Sequence, residues 1–226
     1  MTDIVLMGPP GVGKGTQAVM LAERAGLTHL ASGDLLRANI RDDTALGSQA
    51  KAFVDSGRLV PDSLVVDMVI GRMLAVGDVL LDGFPRTVPQ AVELDRRLAA
   101  AGRRIDGVVL LTAPEETVVR RIVGRRSCRL CAAQYNVHFS PSRAPDVCDA
   151  CGGPLVTRTD DDVETARLRL DVYERQTQPL VRHYRAGGVL HEVDGSGEPA
   201  VVAEEIAGVL ADQLPTAAAN PTVGSP

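Results

Sequence analysis

Residues 3–16 read DIVLMGPPGVGKGT: a short, mostly apolar run, then four glycines and one lysine within nine residues. The run has the composition of a buried strand, and the glycine-rich turn after it opens a helical pattern reaching about Arg24. Strand, glycine-rich turn and helix in that order are the context of a phosphate-binding loop. Glycines let successive backbone N–H groups turn inward, and the helix start adds partial positive charge. Lys14 adds a full charge where β- and γ-phosphates would lie. Gly11, Val12, Gly13, Lys14, Gly15 and Thr16 are therefore candidate phosphate ligands. The general pattern has Ser or Thr directly after the lysine; here Gly15 takes that place and Thr16 is next. Of 24 basic residues only Lys14 and Lys51 are lysines, so a lysine in this loop stands out in a chain that otherwise writes arginine.

Outward from the loop, apolar runs at 28–31, 79–82, 107–111 and 189–193 alternate with helical periodicity. The helical stretches are 35–39, 46–55, 62–74, 88–101, 115–125, 163–185 and 200–214, with Asp62 after Pro61 reading as an N-cap. Five short strands separated by helices predict an α/β fold, an open parallel five-stranded sheet with helices on both faces. Two stretches break the alternation: 127–160, which holds all the cysteines, and 215–226 (PTAAANPTVGSP), whose composition is that of a disordered tail.

Composition narrows the class. At 45% hydrophobic and 23% charged residues the chain is globular in kind, and with 3% aromatics its core must be Ala, Val, Leu and Ile. A net charge of -5 argues against a general nucleic-acid binder. The N-terminus has no signal-like pattern and no apolar run reaches membrane-spanning length, so a cytoplasmic protein with neither membrane nor nucleic-acid partner is expected.

Cys128, Cys131, Cys148 and Cys151 form two CxxC pairs with 16 residues between them. That spacing fits a four-cysteine zinc site. Four thiolates fill a tetrahedral shell, so such a metal would hold a fold rather than do chemistry. Two disulfides or four uncommitted thiols are the alternatives, the first disfavoured in a cytosolic chain.

The phosphate loop is followed in order by SGDLLR (32–37), LLDGFPRTVPQA (80–91), IVGRR (122–126), TRTDD (157–161) and ETARLRL (164–170). Together these closely resemble the adenylate kinases, bacterial type with a long four-cysteine lid, over roughly residues 1–212. The resemblance implies a P-loop NTPase-like core at 1–126 and 161–214, an NMP-binding helical segment at 32–61 and a zinc-binding lid at 127–160. It implies reversible transfer of the terminal phosphoryl group of ATP to AMP, giving two ADP, by a monomer that uses Mg²⁺ with ATP and structural Zn²⁺.

The resemblance assigns site residues by matching position. On the AMP side it puts Arg37 and Arg86 on the phosphate, where a planar guanidinium fork suits the oxygens. It puts Gln90 on an adenine edge, Ser32 (more often Thr in the family) near the base, and Arg58, Leu59, Val60 and Gly83 around the pocket. On the ATP side it puts Arg121 and Arg125, four apart in the predicted helix and so on one face, with Gln134 and Tyr135 nearby. Arg158 and Arg169 close over the phosphates and serve both nucleotides. Lys14, Arg86, Arg121, Arg125, Arg158 and Arg169 make the catalytic set. Asp82, at a strand's C-terminal end, would hold Mg²⁺ through water, with Asp34 assisting. Phe84–Pro85 matches a cis peptide of the family.

An AMP phosphate oxygen is already anionic, so the reaction needs no general base and rests on positioning and electrostatics. All four histidines are accordingly assigned solvated or structural roles. Two other readings are carried: a kinase whose acceptor is CMP or UMP, and a zinc-containing, nucleotide-regulated nucleic-acid-binding module. Net acidity and scarce aromatics for base stacking weigh against the latter.

Overall fold

The computed structural model describes residues 1–215, so the tail reading, apart from Pro215, lies outside the described residues. In chain order the strands are β1 (Asp3–Met7), β2 (Thr28–Ala31), β3 (Val79–Asp82), β4 (Gly107–Thr112), β5 (Arg125–Cys128), β6 (Gln134–Asn136), β7 (Leu155–Val156) and β8 (Leu190–Asp194). The helices are α1 (Lys14–Ala25), α2 (Ser32–Arg41), α3 (Ala45–Asp55), α4 (Asp62–Leu74), α5 (Val88–Ala100), α6 (Glu115–Val123), α7 (Val163–Val172), α8 (Leu180–Ala186) and α9 (Pro199–Val209).

Five strands form a parallel sheet in the order β2-β3-β1-β4-β8. β1 is buried at every position because alternate residues feed two apolar layers. Val5 and Met7 join Leu81, Val108 and Leu110 under α4, α5 and α8. Ile4 and Leu6 join Leu80, Val109 and Leu111 under α1, α6 and α9. Each fully buried side chain of this kind contributes about 1.5–3 kcal/mol relative to exposure, and a continuous apolar strand is what a doubly covered sheet demands. At the sheet's N-terminal edge Arg103 pairs with fully buried Asp3 and also donates to the carbonyls of Met73, Val76 and Gly77.

Strands up to β3 add on one side of β1 and those after it on the other. The order therefore switches at β1, and a crevice opens at the carboxyl ends of β1 and β3. The phosphate loop and Asp82 both lie there.

Four local expectations change. Pro61, not Asp62, precedes the first helical residue of α4, and Asp62 makes no cap bond; its carboxylate instead accepts from Thr87 and Gln90. α6 ends at Val123, so Arg125 lies on β5 and does not share a helical face with Arg121. The helix expected over 163–185 is three pieces, α7, a π-helical turn at Tyr173–Thr177, and α8 after Pro179. Proline removes a backbone donor and breaks the ladder there. Residues 127–160, read as an interruption, carry most of a small antiparallel sheet in the order β6-β5-β7.

Candidate active site

The loop between β1 and α1 is shaped by close backbone approach. A Cβ on Gly8 (φ +136) would lie 2.4 Å from the Leu111 carbonyl oxygen, and one on Gly11 (φ +80) would lie 2.6 Å from Ile122 Cγ1. Only glycine fits either place. Lys14 Nζ donates to the carbonyls of Gly8 and Pro9 at 2.8 and 2.9 Å. Burial pushes its ammonium down to about 8, with Arg86, Arg169 and Arg125 adding to the fall against the opposing charge of Asp82.

Asp82 closes β3 beside the start of α1: a Cβ on Gly15 would sit 3.4 Å from Asp82 Oδ2. His29 Nε2, from β2, stands 3.7 Å from the same oxygen. Burial alone would raise the Asp82 carboxyl, yet His29 and Lys14 hold it below its usual range. His29 also lines the cleft.

A cleft of about 860 Å³ runs over this end of the sheet, within the size range of small-molecule sites. The six loop candidates Gly11–Thr16 line it, with Asp34, Arg37, Leu59, Asp82, Gly83, Arg86, Arg121, Arg125, Gln134, Tyr135, Arg158 and Arg169. A smaller hollow shares Arg37, Leu59, Gly83, Arg86 and Arg169 and adds Ser32, Arg58, Val60 and Gln90. Every nucleotide-site candidate thus lines one or both spaces.

The cations in the cleft differ in their partners. Arg37 is paired with Asp34, Arg125 with both carboxylate oxygens of buried Asp161 through Nε and Nη2, and Arg169 with Asp160 and Asp161. Among the described residues Arg86 finds only the Gly83 carbonyl as an acceptor, and Arg158 only Ser127 and Gln134. Burial lowers Arg86 and Arg158 to about 10, with neighbouring guanidinium groups contributing. For Arg125, burial works in the same direction but the Asp161 bond outweighs it and raises the group. Like charges gathered away from water store repulsion that an arriving polyanion relieves.

Gln90 is held in one orientation. Its Oε1 accepts from the Arg86 N–H at 2.7 Å and its Nε2 donates to Asp62 at 2.6 Å. One N–H and one lone pair of the amide remain, the pair that a base edge needs. Ser32, 2% exposed, donates to the Gly83 carbonyl at 2.6 Å.

At the other end of the cleft Arg121 donates to the carbonyls of Val12, Gly195 and Ser196, joining the phosphate loop to the turn after β8. Phe139 stacks over it, 5.3 Å from ring centroid to guanidinium carbon. Phe139, Asp160 and Asp161 were not among the sequence candidates. The first had a signal, since the chain has only three phenylalanines; the aspartates lay inside a motif read only for its arginine.

Between Cys128 at the end of β5 and the neighbouring turns, the four cysteine sulfurs lie within 4.8 Å of one another, with closest separations of 3.4–3.6 Å. Disulfide sulfurs stand about 2.05 Å apart, whereas four thiolates about 2.3 Å from a shared zinc have edges of about 3.8 Å. The donor set and spacing fit such a metal. The Tyr135 hydroxyl, 3.5 Å from Cys148 Sγ, draws that thiol down to about 6, toward the thiolate a metal requires.

A family model described as adenylate kinase matches residues 6–189. The chain belongs to the adenylate kinase family. Among curated adenylate kinases it is 46% identical to that of Lachnoclostridium phytofermentans over 210 residues, covering 92% of this chain and 97% of that one. It is 49% identical to that of a Geobacter species (strain M21), covering 90% and 97%. With the Streptomyces griseus protein it shares 49% identity over 88% and 93% of the two chains. The matched region includes the adenylate kinase phosphate loop from β1 onward and both arginine-bearing segments that flank the cysteines. No helix among the described residues is long and apolar enough to cross a membrane.

Proposed function

We propose that this adenylate kinase transfers the terminal phosphoryl group of ATP to AMP reversibly, giving two ADP. The observation that carries the reading is the convergence of seven cationic side chains on one cleft that continues into a hollow containing an oriented amide. ATP would lie with its phosphates on the loop and its base toward Phe139 and Arg121. AMP would enter the hollow, its phosphate between Arg37 and Arg86 and its adenine edge on Gln90. Arg86, Arg158 and Arg169 then face the oxygens in flight, and Arg125 flanks them. These groups are placed before substrate arrives, so little reorganisation is needed as charge moves. Asp82 would hold the magnesium of Mg-ATP through water.

The insert 127–160 serves as a lid whose four cysteines hold zinc for structure, and 32–61 serves as the AMP-binding segment. The enzyme works in the cytoplasm as a monomer, with no partner other than its nucleotides. Coupled assays of ATP with AMP, CMP or UMP test the acceptor: ADP should form fastest with AMP, and a preference for CMP or UMP would overturn the adenylate reading. In Gln90→Ala the preference for AMP should shrink by about 1–3 kcal/mol, the cost of an unmet hydrogen bond, while ATP affinity stays close to wild type.

Acid–base behaviour gives an independent check. Phosphates favour the charged lysine, so ATP binding to a protein whose Lys14 titrates near 8 takes up a proton above that value. Affinity should therefore be steady below about pH 8 and weaken by up to about tenfold per unit above it, until the lysine's pKa in the complex is reached. Calorimetric Kd values for Mg-ATP from pH 7 to 9.5 decide it; a flat profile would show that Lys14 takes up no proton on ATP binding in that range.

A further inference from the structure

β6 is three residues long, and each reaches a different part of the molecule. Gln134 Oε1 accepts from Arg158 and from Ser127, both at 3.0 Å. Asn136 Nδ2 donates to the Arg121 carbonyl at 2.8 Å. Between them, the Tyr135 side chain packs against Cys128, Cys148 and Leu155 and also lines the nucleotide cleft. Its hydroxyl oxygen accepts the Asp149 N–H at 2.9 Å. The hydroxyl hydrogen is then free to point at Cys148 Sγ, 3.5 Å away.

One side chain therefore touches both the cysteine cluster and the cleft, and its two sequence neighbours hold the arginines on either side. We propose that Tyr135 is a positioning residue that couples metal occupancy of the four-cysteine site to binding of the donor nucleotide. The proposal rests on reading the cysteines as a zinc site and the cleft as the ATP site. A metal fixes the position of Cys148 Sγ, and so fixes the Tyr135 hydroxyl against it and β6 with it. Nucleotide in the cleft fixes the same strand from the other side through Arg158 and Arg121. Two ligands that order one element favour each other, and by linkage the effect is equal in both directions.

The test measures the equilibrium zinc affinity of the full-length protein by competition with a chromogenic chelator, in excess magnesium, with and without a non-hydrolysable ATP analogue. Calorimetric Kd values of the analogue for metal-loaded and stripped protein give the reverse direction. In the wild type the analogue should lower the zinc Kd by roughly five- to tenfold, within the usual range of coupling between sites, and stripping should weaken the analogue's binding by the same factor. Tyr135→Phe keeps the ring and loses only the hydroxyl. It should retain one zinc per chain and a near wild-type thermal midpoint while both factors fall below about twofold. A merely structural tyrosine would shift the midpoint and leave those ratios unchanged, and Tyr135→Phe with wild-type ratios overturns the proposal. Stoichiometric zinc whose affinity ignores the analogue in the wild type also overturns it and leaves the zinc reading standing. A chain that neither carries nor takes up zinc overturns both.

Discussion

Lys14→Met should lower kcat by on the order of a hundredfold or more, the loss expected when a strong donor to a developing phosphate charge is removed. Methionine keeps the reach of the side chain and deletes only its charge and donors. Among the described residues, Lys14 Nζ hydrogen-bonds only to the Gly8 and Pro9 carbonyls, and Asp82, which loses a neighbouring charge in the variant, keeps His29 and Arg86 beside it. The ammonium is itself held at a cost, because burial and three arginines depress it. The variant should therefore melt no lower than wild type, and somewhat higher near neutral pH, while losing turnover. Losing activity while keeping or gaining stability marks a residue retained for function. A coupled ADP assay and a thermal melt on the same preparation suffice. Full turnover in Lys14→Met would dismiss the loop as the donor site, and a large drop in the melting temperature would make the lysine structural instead.

The second large effect concerns the metal and falls on the opposite property. Stripping zinc, or Cys148→Ser, should lower the thermal midpoint well before it abolishes turnover at low temperature. Metal bound at a thousandfold excess over Kd stabilises the native state by about 4 kcal/mol, which is on the order of 10 °C for a chain of this size. Lys14, Asp82, Arg37 and Arg86 all sit outside the small sheet, on elements that close without it. Turnover should survive in the cold because a loosened lid still closes part of the time. A catalytic zinc would reverse the pattern, with activity lost while the fold persists. Elemental analysis followed by paired melting and activity curves with and without chelator separates the cases. Absence of stoichiometric metal, with both curves indifferent to chelator, would end the structural-zinc reading.

Much of the route from chain to site is local chemistry and was legible without coordinates. The strand at 3–7, the glycines after it and the helix beyond them read directly as a phosphate loop, because a tight turn and a helix start are written in neighbouring residues. The same holds for the CxxC spacing, and for the five apolar runs that become the parallel sheet. Arg125 shows where local reading stopped. The helical period runs through it, but a bidentate pair with Asp161, 36 residues on, and pairing with Asn136 place it on a strand. Pro179 was a visible stop signal inside the pattern for 163–185, and the break before it puts Tyr173 and Thr177 on the cleft.

The sequence by itself determined the fold class, the phosphate loop and the residues from which a nucleotide site and a metal site could be built, since these depend on periodicity and short spacing. Tertiary structure alone decided which charges are spoken for. That Arg125 is balanced by Asp161 while Arg86 donates to the Gly83 carbonyl, that Asp62 orients Gln90 rather than capping a helix, and that His29 stands by Asp82 all depend on how the segments pack together. The physical reason is that a charge's partner and its exposure to water are set by the packing of the whole sheet and its helices. A local pattern carries no record of either.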